Sequence, residues 1–538
     1  MNDKEVMKLA ALVDKCLLEN NLADALAHSE KILTHNRSAG LAYKGVIALR
    51  QDLLDEAESY LLESFQVNKN QNLALANLIP IYIKKRNFKK AVAFGEQAFE
   101  AMPKNDGVAT NYAAALLQEQ QFDKALTILK PLLNESKPNI SILSALISCY
   151  KSLFMKKESE EMLDIAEKFF GDKYEVMRLK ADNLAESNPL KAIEYYRSAL
   201  EKDNTNEIPT SWNMSLVQLR LEDFSEGWKN YDNGLLPEVG KIGRPIPILF
   251  NPEFRKINPE TLDKNKWSFA VCEQGIGDQV LFLGALNQFI ADYPKTVLIA
   301  ETRFHSILRR SFPEIPIYGY GFGPLMDSNF KNSNGFIPIG SIQKKYRDSV
   351  EAFESSKSVY LKNDEIKTSK FKEILLTKTG AKKIIGFSWK GGFWERAQRT
   401  KTIELELWDP IFKNEDYIFV SLQYGDTSKE KEYLTKKFKN VKWIDGFDFK
   451  KDIESWFSLI CACDDIISVS TALVHFAGAA GKSVNLLLSD KGAPFIWGLE
   501  RERSIAYNDI KIHRKKIEQT TEEFFNKVSH DVFFEEKI

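Results

Sequence analysis

A chain of 538 residues is too long for one hydrophobic core, and roughly two to four domains are expected. Its 44% hydrophobic and 28% charged content is ordinary for a folded soluble protein. The 74 basic and 75 acidic residues nearly cancel, so gross charge gives no sign of nucleic acid or another polyanionic partner.

The opening segment, MNDKEVMKLAALVDK, holds acidic residues and no long apolar stretch, unlike a secretory signal. No run approaches the ~18 apolar residues that a membrane helix needs, so no integral membrane segment is expected. The five cysteines (Cys16, Cys149, Cys272, Cys461 and Cys463) are odd in number, and their spacing forms no disulfide framework. Cys461 and Cys463, in LICACDD, have no second cysteine pair or histidine nearby and read as buried small side chains. A reducing cytoplasm is the expected location.

One pattern recurs through the first half: a large apolar residue, two polar residues, then a small residue opening an amphipathic helix. It reads LADALAHSEKIL at Ala25, LDEAESYLLESF at Ala57, FKKAVAFGEQAF at Ala91 and FDKALTILKPLL at Ala125. It continues as PLKAIEYYRSAL at Ala192 and FSEGWKNYDNGL at Gly227, with a degenerate copy, ESEEMLDIAEKF, at Ser159. The intervals are 32, 34, 34, 34, 33 and 35 residues, the period of tetratricopeptide-type helical hairpins. A hairpin cannot bury its apolar face alone, so residues 1–235 are expected to stack into an α-superhelix with a concave groove. Tyr43, Tyr112 and Tyr150 either line that groove or pack inside it. The array implies a surface for a peptide or protein, not chemistry.

Past Leu235 the period disappears. Residues 236–265, with GKIGRPIPILFNPEF, read as a linker. Short apolar strands then alternate with helices, through KWSFAVCEQ, TVLIAE and IPIYGYG, and the alternation restarts at KKIIGFSW. This predicts two parallel-sheet, Rossmann-like domains, over 266–380 and 381–515, facing a cleft. Ligands in such sheets bind at the carboxyl ends of the strands. The last segment, 516–538, is expected to be an amphipathic helix packing back on the module.

Three segments could carry chemistry. In EQGIGDQ, after the first strand, Gly275 and Gly277 permit a tight turn and close backbone approach to a ligand. Asp278 is there either a general base or a helix N-cap. A dinucleotide fingerprint is absent because position 280 is Val. In GFSWKGGFWERAQRTK, Lys390, Arg396, Arg399 and Lys401 follow a buried strand. They suit a diphosphate or a sugar acid, or form a solvated basic loop. In SVSTALVHFAGAAG, the Ser470–Thr471 strand end opens a helix whose free amides and hydroxyls make a phosphate seat, with Ala472 and His475 in its first turns. His475 is a ligand contact or a structural histidine. Trp497 and Tyr507 stack on a base or belong to the core. No zinc-like set, HExxH or P-loop is present, which points to chemistry without a metal or cofactor.

Together EQGIGDQVLF, IGFSWKGG, RTKTIELELWDPIF, FVSLQYGD, DIISVSTALVHFAGAAGKSVNLLL and WGLERERSIAYNDIKIHR, preceded by FSEGWKNYD, resemble bacterial proteins that fuse tetratricopeptide repeats to a heptosyltransferase-like domain. That domain belongs to glycosyltransferase family nine and has the GT-B fold of two Rossmann-like halves. The resemblance implies an inverting, metal-independent transfer from a nucleotide-sugar co-substrate. By it, Asp278 matches the base, the loop from Lys390 to Lys401 a phosphate-binding segment, and Thr471, Ala472 and His475 the donor-phosphate segment. The family commonly has Asp-Thr where this chain has Ser470-Thr471. Loss of that acid suits a donor with its own negative charge, such as a cytidine-monophosphate-linked nonulosonic acid. Flagellin glycosyltransferases share the layout, with repeats holding a protein acceptor whose Ser or Thr is modified. Two alternatives remain open: an enzyme acting on a saccharide or lipid-linked acceptor, and a binding scaffold with a degenerate GT-B module.

Overall fold

The small residue that opens each repeated segment allows two helices to close on one another. Ala25, Ala57, Ala91, Ala125 and Ala192 are fully buried and Ser159 nearly so. Each lies near the start of a helix: Leu22–Leu33, Leu54–Val67, Phe88–Ala101, Phe122–Leu129, Lys156–Phe170 and Pro189–Lys202. The computed structural model describes residues 3–203, 207–236, 239, 243–244, 261–320, 333–376, 383–391, 401–489, 494–516 and 518–534. Asparagines punctuate the array. Asn21, Asn87 and Asn188 accept the backbone N–H three residues on, and Asn36 and Asn105 cap partner helices in the same way.

The turn inside each of the first five hairpins uses one non-glycine residue in the left-handed region: Asn20, Asp52, Arg86, Gln120 and Phe154, with φ between 54° and 60°. Their spacing of 32, 34, 34 and 34 repeats the sequence period, so the backbone carries the repeat as clearly as the side chains do. Tyr43, Tyr112 and Tyr150 are buried, which makes them packing residues and not groove lining. Tyr112 lies against Gly95, where an added Cβ would overlap its ring. Gly95→Ala is therefore expected to destabilise the array by roughly 1–2 kcal/mol, overpacking outweighing the helix-propensity gain of about 1 kcal/mol. All nine tryptophans follow residue 210, so the loss appears in a circular-dichroism melt and not in tryptophan fluorescence.

The chain divides into two compact units, Met1–Thr210 with Leu236–Gly243, and Ser211–Leu235 with Arg244–Ile538. The sequence period places the boundary at 235, but the last hairpin, Glu207–Arg220 and Phe224–Tyr231, goes mostly with the second unit. Its aromatic residues explain why. Trp228 Nε1 donates to the Arg347 carbonyl at 2.7 Å. The rings of Trp228 and Tyr231 pack on Phe282 and Phe495 at 5.8–6.5 Å, and Phe224 lies 4.7 Å from Phe353. Glu222 Oε2 accepts from Arg501 Nη2 at 2.8 Å.

The rest of the second unit is built on two parallel sheets. The first has β1 (Ser268–Val271), β2 (Thr296–Ile299), β3 (Ile317–Tyr318) and β4 (Gly335–Pro338) in the order β3-β2-β1-β4. The second has β5 (Lys383–Ser388), β6 (Tyr417–Ser421), β7 (Val441–Lys442), β8 (Asp465–Val469), β9 (Ser483–Leu488) and β10 (Ile510–Arg514), in the order β10-β9-β8-β5-β6-β7. Both sheets start at a central strand and reverse direction beside it, as expected of Rossmann-like halves of a GT-B module. The switch points fall at β1/β4 and β5/β8. The helix Thr521–Phe533 opens with a Thr520–Glu523 capping box and places Phe524, Phe525 and Val528 in the core of the second sheet.

Each cysteine is a free thiol; Cys149, Cys272 and Cys463 are buried, and Cys16 and Cys461 are partly covered. Among the described residues, no helix is long and apolar enough to cross a membrane. Among them also, no group of three or more His, Cys, Asp or Glu residues could hold a metal ion.

Candidate functional site

Buried strand β1 runs into a turn that must reverse within four residues. Gln274 meets this demand with φ +66°, the only described non-glycine residue in the left-handed region outside the hairpin turns of the repeats. Gly275, extended at φ −70° and ψ 156°, is the N-cap of the helix Ile276–Leu283. Asp278 is therefore not the N-cap, an alternative the sequence left open. It sits in the first turn and folds back, accepting the Gly275 N–H, and a Cβ on Gly275 would lie 3.0 Å from its Oδ2. The Asp278 side chain is exposed to solvent at the surface of the site. Desolvation by the neighbouring protein raises its pKa above the ordinary carboxylate value. The Lys401 charge opposes the rise, and nearby Glu273 adds to it.

Facing this turn is the end of β8. Thr471 is the N-cap of the helix Ala472–Ala479, but its side chain makes no cap hydrogen bond. Its Oγ1 is buried with no partner in the protein. The two helix starts touch: a Cβ on Gly277 would lie 3.1 Å from His475 Cδ2 and 3.2 Å from Ala472 Cα. Glycine at 277 thus serves contact between two sheet domains as much as approach to a ligand. Gly391, after β5, closes on Thr471 in the same way, its added Cβ 2.5 Å from the threonine methyl.

His475 faces two buried rings. Its Nδ1 lies 2.9 Å from the Tyr507 hydroxyl, and its imidazole stacks on Trp497 at 5.2 Å. Burial and the Lys401 charge push its pKa down to about 3, so it is neutral. Trp497 Nε1 in turn donates to Ser470 Oγ at 3.0 Å. Trp497 and Tyr507 are 0% and 1% exposed, so neither offers a free face to a nucleotide base. Of the two roles the sequence left open for them, their burial fits packing in the core.

The two described lysines of the basic loop differ. Lys390 Nζ pairs with Glu430 at 2.7 Å and donates to the Asp426 carbonyl at 3.2 Å. Its backbone N–H, with those of Trp389 and the Ser388 hydroxyl, is held by Gln423 Oε1 at 2.8–3.3 Å. Lys401 is the cation that acts on both Asp278 and His475. Burial lowers its pKa, and Asp278 opposes the fall. Arg396 and Arg399 lie outside the described residues.

Sequence reasoning missed Glu273 and Arg244, both fully buried. Glu273 Oε1 accepts from Arg244 Nη2 at 2.8 Å and from the Gly340 N–H at 3.0 Å. Arg244 Nη1 reaches Asp232 at 2.6 Å. Only the adjacency of Glu273 to the glycine turn could have flagged it. Taken together, a carboxylate with raised proton affinity stands on one of two helix starts in contact, under the charge of Lys401, and the other helix opens at an orphan hydroxyl. That set suits taking a proton from a hydroxyl on one side and holding an anion on the other.

A tetratricopeptide-repeat family model matches residues 82–147. Protein FlbA of Caulobacter vibrioides is 24% identical over 285 residues, covering 50% of this chain and 46% of that protein. The chain thus spans about half the length of that curated relative. A solved tetratricopeptide repeat protein from Parabacteroides merdae aligns at a TM-score of 0.37 and 13% identity, over 47% of this chain and 96% of that one. A glycosyl transferase family 9 structure from Veillonella parvula aligns at a TM-score of 0.33 and 10% identity, over 47% of this chain and 86% of that one.

Proposed function

We propose that the second unit is an inverting, metal-independent glycosyltransferase that uses a nucleotide-sugar, and that the repeats recruit its protein acceptor, such as flagellin. The observation that supports this reading is the contact of two helix starts at Gly277 and Ala472, one bearing Asp278 and the other opened by Thr471, whose buried hydroxyl has no partner, with the Lys401 charge acting on Asp278. Asp278 takes the proton of an acceptor Ser or Thr hydroxyl. The oxygen attacks the anomeric carbon from the face opposite the phosphate, and the glycosyl–phosphate bond breaks with its electron pair on the leaving nucleotide. Thr471, the amides of Ala472 onward and Lys401 offset the charge that develops there. Gly275 and Gly277 leave room for this approach, and Arg396, Arg399 and Lys390 are further candidates for the phosphates. Neutral His475 shapes the wall without adding charge.

Ser470, tied to Trp497, puts a neutral hydroxyl where the resembling family has an acid, which favours an anionic donor such as a cytidine-monophosphate-linked nonulosonic acid. Incubating the chain with flagellin and cytidine, uridine, adenosine or guanosine nucleotide-sugars is expected to add one sugar mass to the acceptor with one carrier. Absence of both mass gain and calorimetric nucleotide binding with all four carriers would leave only a binding scaffold.

A further inference from the structure

We infer that Tyr231, from the last helical hairpin, is a positioning residue that holds the turn presenting Asp278, with Arg244 as its buttress; this rests on the role proposed for Asp278. The turn needs such a brace because Gln274, a residue with a Cβ, sits at φ +66° between β1 and the helix that bears Asp278. Its side chain is tethered outward: Gln274 Nε2 donates to the Tyr231 hydroxyl at 3.0 Å. Its carbonyl is tethered inward, accepting from Gln279 Nε2 at 3.2 Å. One residue earlier, Glu273 is fixed by Arg244 and by the Gly340 N–H. The Arg244 guanidinium lies over the Tyr231 ring, 4.5 Å from its centroid. Its two ends bind Asp232 and Ser341 Oγ, and Ser341 Oγ also donates to Asp232 at 2.5 Å. Residues 231 and 232 thus clamp residues 273 and 274 from one side, and Gln279 from the other.

The clamp joins the last helical hairpin to the first sheet, both within the second unit. A hairpin that belongs to the repeat pattern by sequence is built into the frame of the base. Its displacement would let the Gln274 turn relax toward ordinary backbone angles and carry Asp278 with it. Glycine adopts positive φ without strain, so a glycine at 274 removes the need for the brace.

The full chain carrying Tyr231→Phe keeps the ring and loses the hydroxyl. It is expected to show about tenfold lower kcat, the cost of one hydrogen bond, with donor KM unchanged. Amide exchange over residues 274–279 should speed up by a similar factor. In a Gln274→Gly background, Tyr231→Phe should change kcat and exchange by less than about twofold. The proposal is overturned if Tyr231→Phe leaves both readouts at wild-type values, or if its effect persists in full beside Gly at 274. A merely structural tyrosine would lower the melting temperature without this split or this dependence on residue 274. If the wild-type chain transfers no sugar from any carrier, the glycosyltransferase reading fails, and the exchange arm still decides whether Tyr231 braces the turn.

Discussion

Asp278→Asn is expected to lower kcat by about 10²–10⁴-fold, the range of a general base, without lowering the unfolding temperature. The two halves of this result come from one cause. Desolvation in the folded state raises the Asp278 pKa above its unfolded value, so the folded state binds that proton more tightly. Above the raised value the ionised side chain costs stability, and the cost fades as pH falls through the folded pKa and then the ordinary carboxyl range. Asparagine removes the charge and still offers an oxygen to the Gly275 N–H. Its melting midpoint should equal or exceed that of the wild type at neutral pH, and the difference should vanish in acid. The wild-type rate should show an acid limb at the raised Asp278 value, and Lys401→Met should move that limb to higher pH because an opposing charge is lost. Initial rates at saturating donor, with thermal melts alongside, check all of this. A variant within tenfold of wild-type kcat would remove Asp278 from the chemistry.

Arg244→Met is expected to destabilise the second unit by about 3–5 kcal/mol, the usual consequence of stripping one partner from a buried ion pair. Burial disfavours the guanidinium charge, but Glu273 and Asp232 outweigh that and hold it charged more firmly than a free arginine. Without it, the Glu273 carboxylate keeps only the Gly340 N–H, in a site that water does not reach. Adding Glu273→Gln, which removes the stranded charge but keeps an acceptor for that N–H, should recover more than half of the loss. Denaturant unfolding followed by tryptophan fluorescence measures the effect cleanly, since every tryptophan lies in the second unit. Equal losses for the single and double variants would show that the pair is not what holds this turn.

The repeats were legible because their signal is local: a small residue every 34 or so positions, asparagine caps and turn residues all lie within one period. The β/α alternation, the strand-to-helix turn at Gly275 and the helix start at Thr471 were legible for the same reason. What the sequence could not provide were pairings across distance. Lys390 looked the stronger cation because it follows a strand directly, but Glu430, forty residues later, neutralises it, while Lys401 acts on Asp278. Trp497 and Tyr507 had the chemistry of a base platform, but His475 and Ser470 occupy them. Arg244 stood in a Pro- and Gly-rich stretch read as a linker, with nothing local to reveal three partners up to 97 residues away. The last hairpin obeyed the repeat period and still belonged elsewhere, because aromatic packing sets a compact unit and periodicity does not.

That misplaced hairpin determines where such a chain tolerates exchange. The hairpins upstream of Ser211 form, with Leu236–Gly243, a compact unit of their own, so a splice at 210 keeps Trp228, Tyr231 and Arg244 with the residues around Asp278. A chimaera spliced at 235, where the period ends, would instead discard Trp228, Tyr231 and the seat of Arg244. New recognition can be installed at the first junction and not at the second.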